Sequence, residues 1–121
     1  MDKRSLGQFG EEQAARYLRR RFYSIVERNY RCRFGEIDLI AKRGGILAFV
    51  EVKLRRDDAH GEAREFVTGQ KQQRVLAAAQ LWLSLHETAL QPRFDVIEVY
   101  APEGTKTLFP EIHHLENAFS V

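Results

Sequence analysis

Apolar residues recur along this chain with two periods, and the changes from one to the other mark out its elements. Leu6, Phe9, Gly10, Ala14, Tyr17 and Leu18 fall at helical spacing, which predicts a first helix over about 6–22. Ser5-Leu6-Gly7-Gln8 reads as a capping box: the Ser5 hydroxyl accepts from the Gln8 amide and the Gln8 side chain reaches back. Gly10 would allow close packing. Three strand-like segments follow, Ser24–Cys32, Arg33–Arg43 and Ile46–Leu54. Gly44-Gly45 forms a two-residue hairpin turn in which both positions tolerate positive φ. Ile46–Leu54 is almost continuously apolar and β-branched, the pattern of a central strand buried on both faces. Residues Arg55–Gly69 are polar and dense in charge, and read as a long mobile loop. Thr68 then caps a second helix over about 69–87, with Val75, Ala78, Ala79, Trp82 and Leu85 on its apolar face. Arg93–Ala101 is a fourth strand. Because the second helix feeds it, it should lie parallel to the third through a right-handed crossover. Residues 107–113 read as a short edge strand. The expected fold is α/β, one domain over residues 1–121, with a mixed sheet flanked by helices.

Strand alternation gives this pattern chemical meaning. On the second strand Glu36, Asp38 and Ile40 share one face, and Ile37, Leu39 and Ala41 the other. On the third, Glu51 and Lys53 face together. Asp38 stands six residues before Gly44 and Glu51 six after Gly45, so a simple hairpin sets them nearly opposite. Such neighbours have Cβ atoms about 5 Å apart. Two carboxylates that close repel one another, and burial adds to the cost. Lys53 offsets one charge and a hard divalent cation would offset the rest, the oxygen donors suiting Mg²⁺ or, in its place, Mn²⁺. Such an ion polarises a phosphodiester oxygen and activates a water. Lys53 would position or deprotonate that water, or stabilise charge developing on phosphorus. The plain alternative is a hairpin with surface acids and one salt bridge. An E-x-K triplet alone is common, but this one ends a hydrophobic run opposite an aspartate on the adjoining strand.

Composition narrows the setting. Cys32 is the single cysteine, which leaves no disulfide framework and no thiolate zinc site, and points to a reducing cytoplasm. The opening MDKRSLGQFGEEQ has no apolar core. The longest uncharged run, Val75 to His86, falls well short of the ~20 residues of a membrane span. Net charge is only +2, yet residues 1–35 hold nine Lys/Arg against four acids. Such a basic segment attracts phosphates, and it is equally the composition of a solvated helix flank.

Taken together, Glu11, Gly35-Glu36-Ile37-Asp38 and Glu51-Val52-Lys53 resemble the PD-(D/E)xK nuclease superfamily. A closer resemblance is to the YraN-type family of bacterial proteins, described as similar to archaeal Holliday-junction resolvases. RNYRCRFGEIDLIA (28–41), FVEVKLR (49–55) and RFDVI (93–97) carry it, over nearly the whole chain. Ile37 stands where the superfamily name has proline, a position that varies within it. The resemblance implies a restriction-endonuclease-like αβββαβ core and Mg²⁺-dependent phosphodiester cleavage. It implies metal ligation by Asp38, Glu51 and the main-chain carbonyl of Val52, with Lys53 as the catalytic lysine. A helical glutamate, here Glu11, would bind a second metal or orient Lys53. Resolvase resemblance also implies a homodimer, because a junction presents two symmetric cuts.

Other residues admit more than one reading. Glu11 is also simply an exposed helical acid favoured by the dipole. Glu36 lies one register step from Asp38, placed equally for solvent, an arginine or a ligand role. Gln70 and Lys71 open the second helix after a glycine, where amides and a positive end favour phosphate. Their place resembles the supporting polar position of the superfamily's last motif, while Lys71 equally flanks the packing face. Arg31, Arg33, Arg55, Arg56, Gln70 and Lys71 are the expected nucleic-acid contacts, and the loop from Arg55 through Arg64 is the expected substrate-facing segment. Asp95, inside an apolar strand, reads as a buried acid paired with an arginine. Trp82 reads as core, and His60, His113 and His114 show no ligand spacing. Three functions follow: an endonuclease acting on branched or flapped DNA, or on structured RNA, with DNA favoured; a nucleic-acid-binding module that keeps the fold without activity; or an interaction scaffold in a repair complex. The intact acid–acid–lysine set favours the first.

Overall fold

The apolar run at the centre of the chain becomes the spine of the sheet. In a computed structural model describing residues 3–56 and 69–119, it forms a strand from Ile46 to Arg55 in which Leu47, Ala48, Phe49 and Val50 are all buried. In chain order the elements are α1 (Lys3–Arg20), β1 (Ser24–Cys32), β2 (Gly35–Arg43), β3 (Ile46–Arg55), α2 (Gly69–Leu85), β4 (Gln91–Tyr100), a 3₁₀ turn (Gly104–Lys106) and β5 (Glu111–Phe119). The strands form one sheet in the order β1-β2-β3-β4-β5. β1–β2 and β2–β3 are antiparallel, β3–β4 is parallel across α2, and β4–β5 is antiparallel. This is the restriction-endonuclease-like αβββαβ core with one further strand.

The two helices cover opposite faces. Ala14, Ala15 and Leu18 of α1 pack with Leu39, Ala41, Ala48, Val50, Ile97 and Val99. Val75, Ala78, Ala79 and Trp82 of α2 pack with Ile40, Leu47, Phe49, Phe94, Val96 and Phe119. The alanines let the helix backbones approach the sheet, and Gly10 does the same further along. A methyl at Gly10 would meet Leu54 Cβ at 3.4 Å.

Several expectations need correcting. Ser5 and Gln8 lie inside α1, not at its start, so Ser5 is not the N-cap. The helix stops at Arg20 rather than 22 because Phe22 turns into the left-handed region at φ +70°. The Phe22 amide donates to the Arg19 carbonyl and the Tyr23 amide to the Leu18 carbonyl. That is a Schellman closure with phenylalanine in the usual glycine place. α2 ends at Leu85, which is 67% exposed and does not share the apolar face assigned to it. In the hairpin turn only Gly44 has positive φ, at +57°. The last strand is not 107–113. Leu108 and Phe109 are exposed, Pro110 has no N–H to give a ladder, and β5 begins only at Glu111. The Thr68 cap and most of the 55–69 loop lie outside the described residues.

Candidate active site

The pairing of β2 with β3 runs outward from the Gly-Gly turn, from Arg43↔Ile46 to Leu39↔Val50. Carried one step further, the register sets Asp38 opposite Glu51. At that point a side chain takes the place of the ladder: the Val52 N–H donates to Asp38 Oδ2 at 2.8 Å. Strict alternation lapses here too. Ile37 was expected with Leu39 and Ala41, but packs instead with the cluster under α2. The start of β2 thus meets both helices, and Glu11 of α1 reaches it. Oxygens of Glu11, Glu36 and Asp38 all lie within 4.8 Å of one another.

On the α2 side a cleft of about 330 Å³ exposes Glu36, Asp38 and Glu51 opposite Lys71 and Arg74, with Gly35 and Val75 in its walls. Gly35 sits at φ +152°, where an L side chain is strained. A Cβ there would come within 3.3 Å of Arg74 Cβ. Glycine therefore lets α2 approach the start of β2. Lys71 and Arg74, three residues apart, point from one face of α2 into the cleft.

Burial drives the electrostatics. Asp38 is pushed up to about 7, first by burial and then by the charge of Glu51, with Glu11 and Glu36 adding to it and the Val52 amide opposing. Burial also raises Glu11. A hydrogen bond from Asn29 works against that shift, while the charges of Glu36 and Glu51 work with it. Lys53 is lowered, by burial first, then by its hydrogen bond and charge contact with Lys71. For Lys71 burial disfavours the charge, but Glu51, with Lys53 and Asp38 adding to it, turns the net shift upward. Glu51 itself is 6% exposed, and its Oε1 lies 2.5 Å from Lys71 Nζ.

Asp38, Glu51, Lys53 and Glu11 thus come together, and Val52 joins them through its amide. Of the expected nucleic-acid contacts, Lys71 lines the cleft and Gln70 is exposed at the start of α2. Arg31 stands 3.6 Å from Glu36. Arg33 lies over the Phe34 ring in the β1–β2 turn, and Arg56 is exposed. Arg55 is different. It is 8% exposed and gives its NH1 to Glu98 Oε2 at 2.6 Å, while Tyr100 donates to the other Glu98 oxygen. Its charge is paired in the interior, not presented at the surface. His60 and Arg64 lie outside the described residues.

Sequence reasoning missed two residues. Arg74 was legible as the next residue on Lys71's helix face. Asn29 gave no signal. It takes φ +51° within β1, a conformation asparagine tolerates better than most residues, and bonds Glu11. Asp95 is fully buried and paired with Arg93, as expected, through bonds of 2.9 and 2.8 Å. His114, given no role above, completes that network: its Nε2 lies 2.8 Å from Asp95 Oδ2 and its Nδ1 3.2 Å from the Tyr17 hydroxyl. Trp82 is core, edge-on to Phe49, with its indole N–H on Glu27.

The model of an uncharacterised protein family, UPF0102, matches residues 10–99, a span that contains every residue of this cleft. A UPF0102 protein of Geotalea uraniireducens is 43% identical over 121 residues, covering 99% of this chain and 93% of its own. One of Nocardia farcinica is 47% identical over 119 residues, covering 98% and 91%. One of Caldanaerobacter subterraneus subsp. tengcongensis is 42% identical over 120 residues and covers 98% of each chain.

Proposed function

Since the chain belongs to the uncharacterised protein family UPF0102, whose description names no reaction, we propose a reaction from the site: metal-dependent endonucleolytic hydrolysis of phosphodiester bonds in structured nucleic acid, branched DNA ahead of RNA. One observation carries this reading. Acids from two elements, Glu11 of α1 and Glu36 and Asp38 of β2, converge within 4.8 Å, with Glu51 and Lys53 beside them on β3.

The donor set fits a hard divalent ion, being all carboxylate, in a cleft with room for retained water. Asp38 and Glu51 would hold Mg²⁺ or Mn²⁺ with the Val52 main-chain carbonyl, and Glu11 and Glu36 would support them. When bound, the ion would supply polarisation of a phosphodiester oxygen and a more acidic water. The chain's own residues do the rest. Lys53, its proton affinity lowered, is suited to take the proton that an attacking water loses, or to meet charge developing at phosphorus. Arg74 and the N-terminal end of α2 offer positive charge to a phosphate beside the acids. Arg31, Arg33, Arg56 and Gln70 extend that surface. The preference for branched DNA and a homodimer rests on the resemblance to resolvases, in which two symmetric cuts call for two copies.

A binding module without turnover has one observation on its side, the occupation of Glu51 by Lys71. A cleavage assay with Mg²⁺ or Mn²⁺ on linear, flapped and four-way-junction DNA and on RNA separates the two readings. Wild type should cut, and Asp38→Asn and Lys53→Ala should lose most of that activity. No cutting by wild type, or equal cutting by all three, sinks the nuclease reading. Salt-dependent binding that persists without cleavage would favour the binding module.

A further inference from the structure

We propose that Lys71 is a resident counter-cation of the metal site: its ammonium holds Glu51 in the metal-free protein and has to release it for a divalent ion to be bound. The proposal rests on the reading of Asp38 and Glu51 as metal ligands.

The Glu51 side chain is 7% exposed, and a buried carboxylate needs a compensating charge. Among the described residues, three cations on β3 and in the first turn of α2 are the ones to consider, with Arg74 a turn further along in the cleft wall. Arg55 is committed to Glu98 at 2.6 Å. Lys53, two residues along the same strand, is hydrogen-bonded with Lys71. Lys71 makes the short contact with Glu51, 2.5 Å from Nζ to Oε1. It also feels the charge of Asp38. One ammonium therefore sits against the ligand that a metal ion would use, within the field of the second.

The pair is lopsided in a way that suits a placeholder. Glu51 comes from the rigid centre of the sheet. Lys71 comes from the first turn of α2 on a flexible four-carbon stem, and its side chain is 37% exposed. It lines the cleft, so it has an outward path that involves no movement of the core. Replacing it by a divalent ion puts two positive charges where there was one, among Glu11, Glu36, Asp38 and Glu51. The ammonium cannot stay at contact distance from such an ion without strong repulsion. Pairing with Lys71 and loading with metal are accordingly competing states of Glu51, and population of the first lowers apparent affinity for the second.

Calorimetric titration of the full chain with Mn²⁺ at pH 8, without nucleic acid, tests this. Lys71→Met removes the competitor and should tighten Mn²⁺ binding by roughly tenfold or more, the scale of a displaced partly buried ion pair. Lys71→Arg keeps the charge and should stay within about threefold of wild type. Glu51→Gln should weaken binding in any background. Unchanged or weaker Mn²⁺ binding by Lys71→Met, with Glu51→Gln still weakened, overturns the proposal and leaves the metal site standing. Equal tightening by Lys71→Arg overturns it too, because charge would not be the cause. If wild type binds no Mn²⁺, or Glu51→Gln binds it as well as wild type, the metal-site reading fails and the proposal with it. A second measurement needs no variant that might misfold. The ¹⁵N resonance of the Lys71 ammonium in wild type should shift on Mg²⁺ saturation, and an unmoved resonance at saturation overturns the proposal.

Discussion

Replacing Asp38 by asparagine should stabilise the metal-free protein at pH 8, and by less than half as much at pH 5. In the folded chain the Asp38 carboxyl is pushed up to about 7, against an ordinary value of 3.8. The folded state therefore holds this proton more tightly than the unfolded state. The contribution to stability is fully present below about pH 4 and is lost as pH rises through about 7. At 1.36 kcal/mol for each tenfold change, that gap sets a ceiling of about 4 kcal/mol. Sharing of the titration between Asp38 and Glu51 and access to water at the cleft reduce the expected effect to about 1–3 kcal/mol at pH 8. Asparagine keeps a side-chain oxygen to accept from the Val52 amide and carries no charge at either pH, so the structural contact survives while the repulsion goes. Urea unfolding of both proteins with a chelator, at pH 5 and pH 8 and equal ionic strength, measures the difference. A variant no more stable than wild type at pH 8, or equally stabilised at both pH values, would refute the argument. Mn²⁺ should then reverse the order at pH 8, because only wild type gains the stability that comes with tight binding. Stability given up at a site in exchange for function is a familiar trade.

Two further predictions concern the scaffold. Glu98→Ala leaves Arg55 as a charge in the interior without its carboxylate, and should cost about 3 kcal/mol in the same urea assay; a loss under 1 kcal/mol would mean that Arg55 readily reaches water instead. Phe22→Gly should stabilise the protein by about 0.5–1 kcal/mol, because it removes the left-handed penalty of about 1–2 kcal/mol at φ +70° and returns part of it as chain entropy. A loss of stability would show that the 87% exposed ring has a partner in solution.

Local pattern was enough to place much of this molecule. Helical spacing located α1 and α2, alternation fixed Asp38 with Glu36 and Glu51 with Lys53, and counting from Gly44-Gly45 put Asp38 opposite Glu51, because hairpin register depends only on residues within a few positions of the turn. The parallel β3–β4 pairing followed from the intervening helix. What the sequence left open depended on contacts between distant segments. Whether Arg55 faced solvent or the interior was decided by Glu98, which β4 brings beside β3 from 43 residues away. His114 joined Asp95 only because β5 starts after Pro110 and pairs antiparallel with β4. Glu36 joined Glu11 and Asp38 because β2 leaves the β3 ladder at Leu39, and Glu51 met Lys71 because Gly35 lets α2 come close. Periodicity reports which face a side chain occupies, since that is set by backbone geometry alone. Which charges meet on that face, and so how strongly each holds its proton or a metal ion, is set by docking between elements, which no single segment encodes.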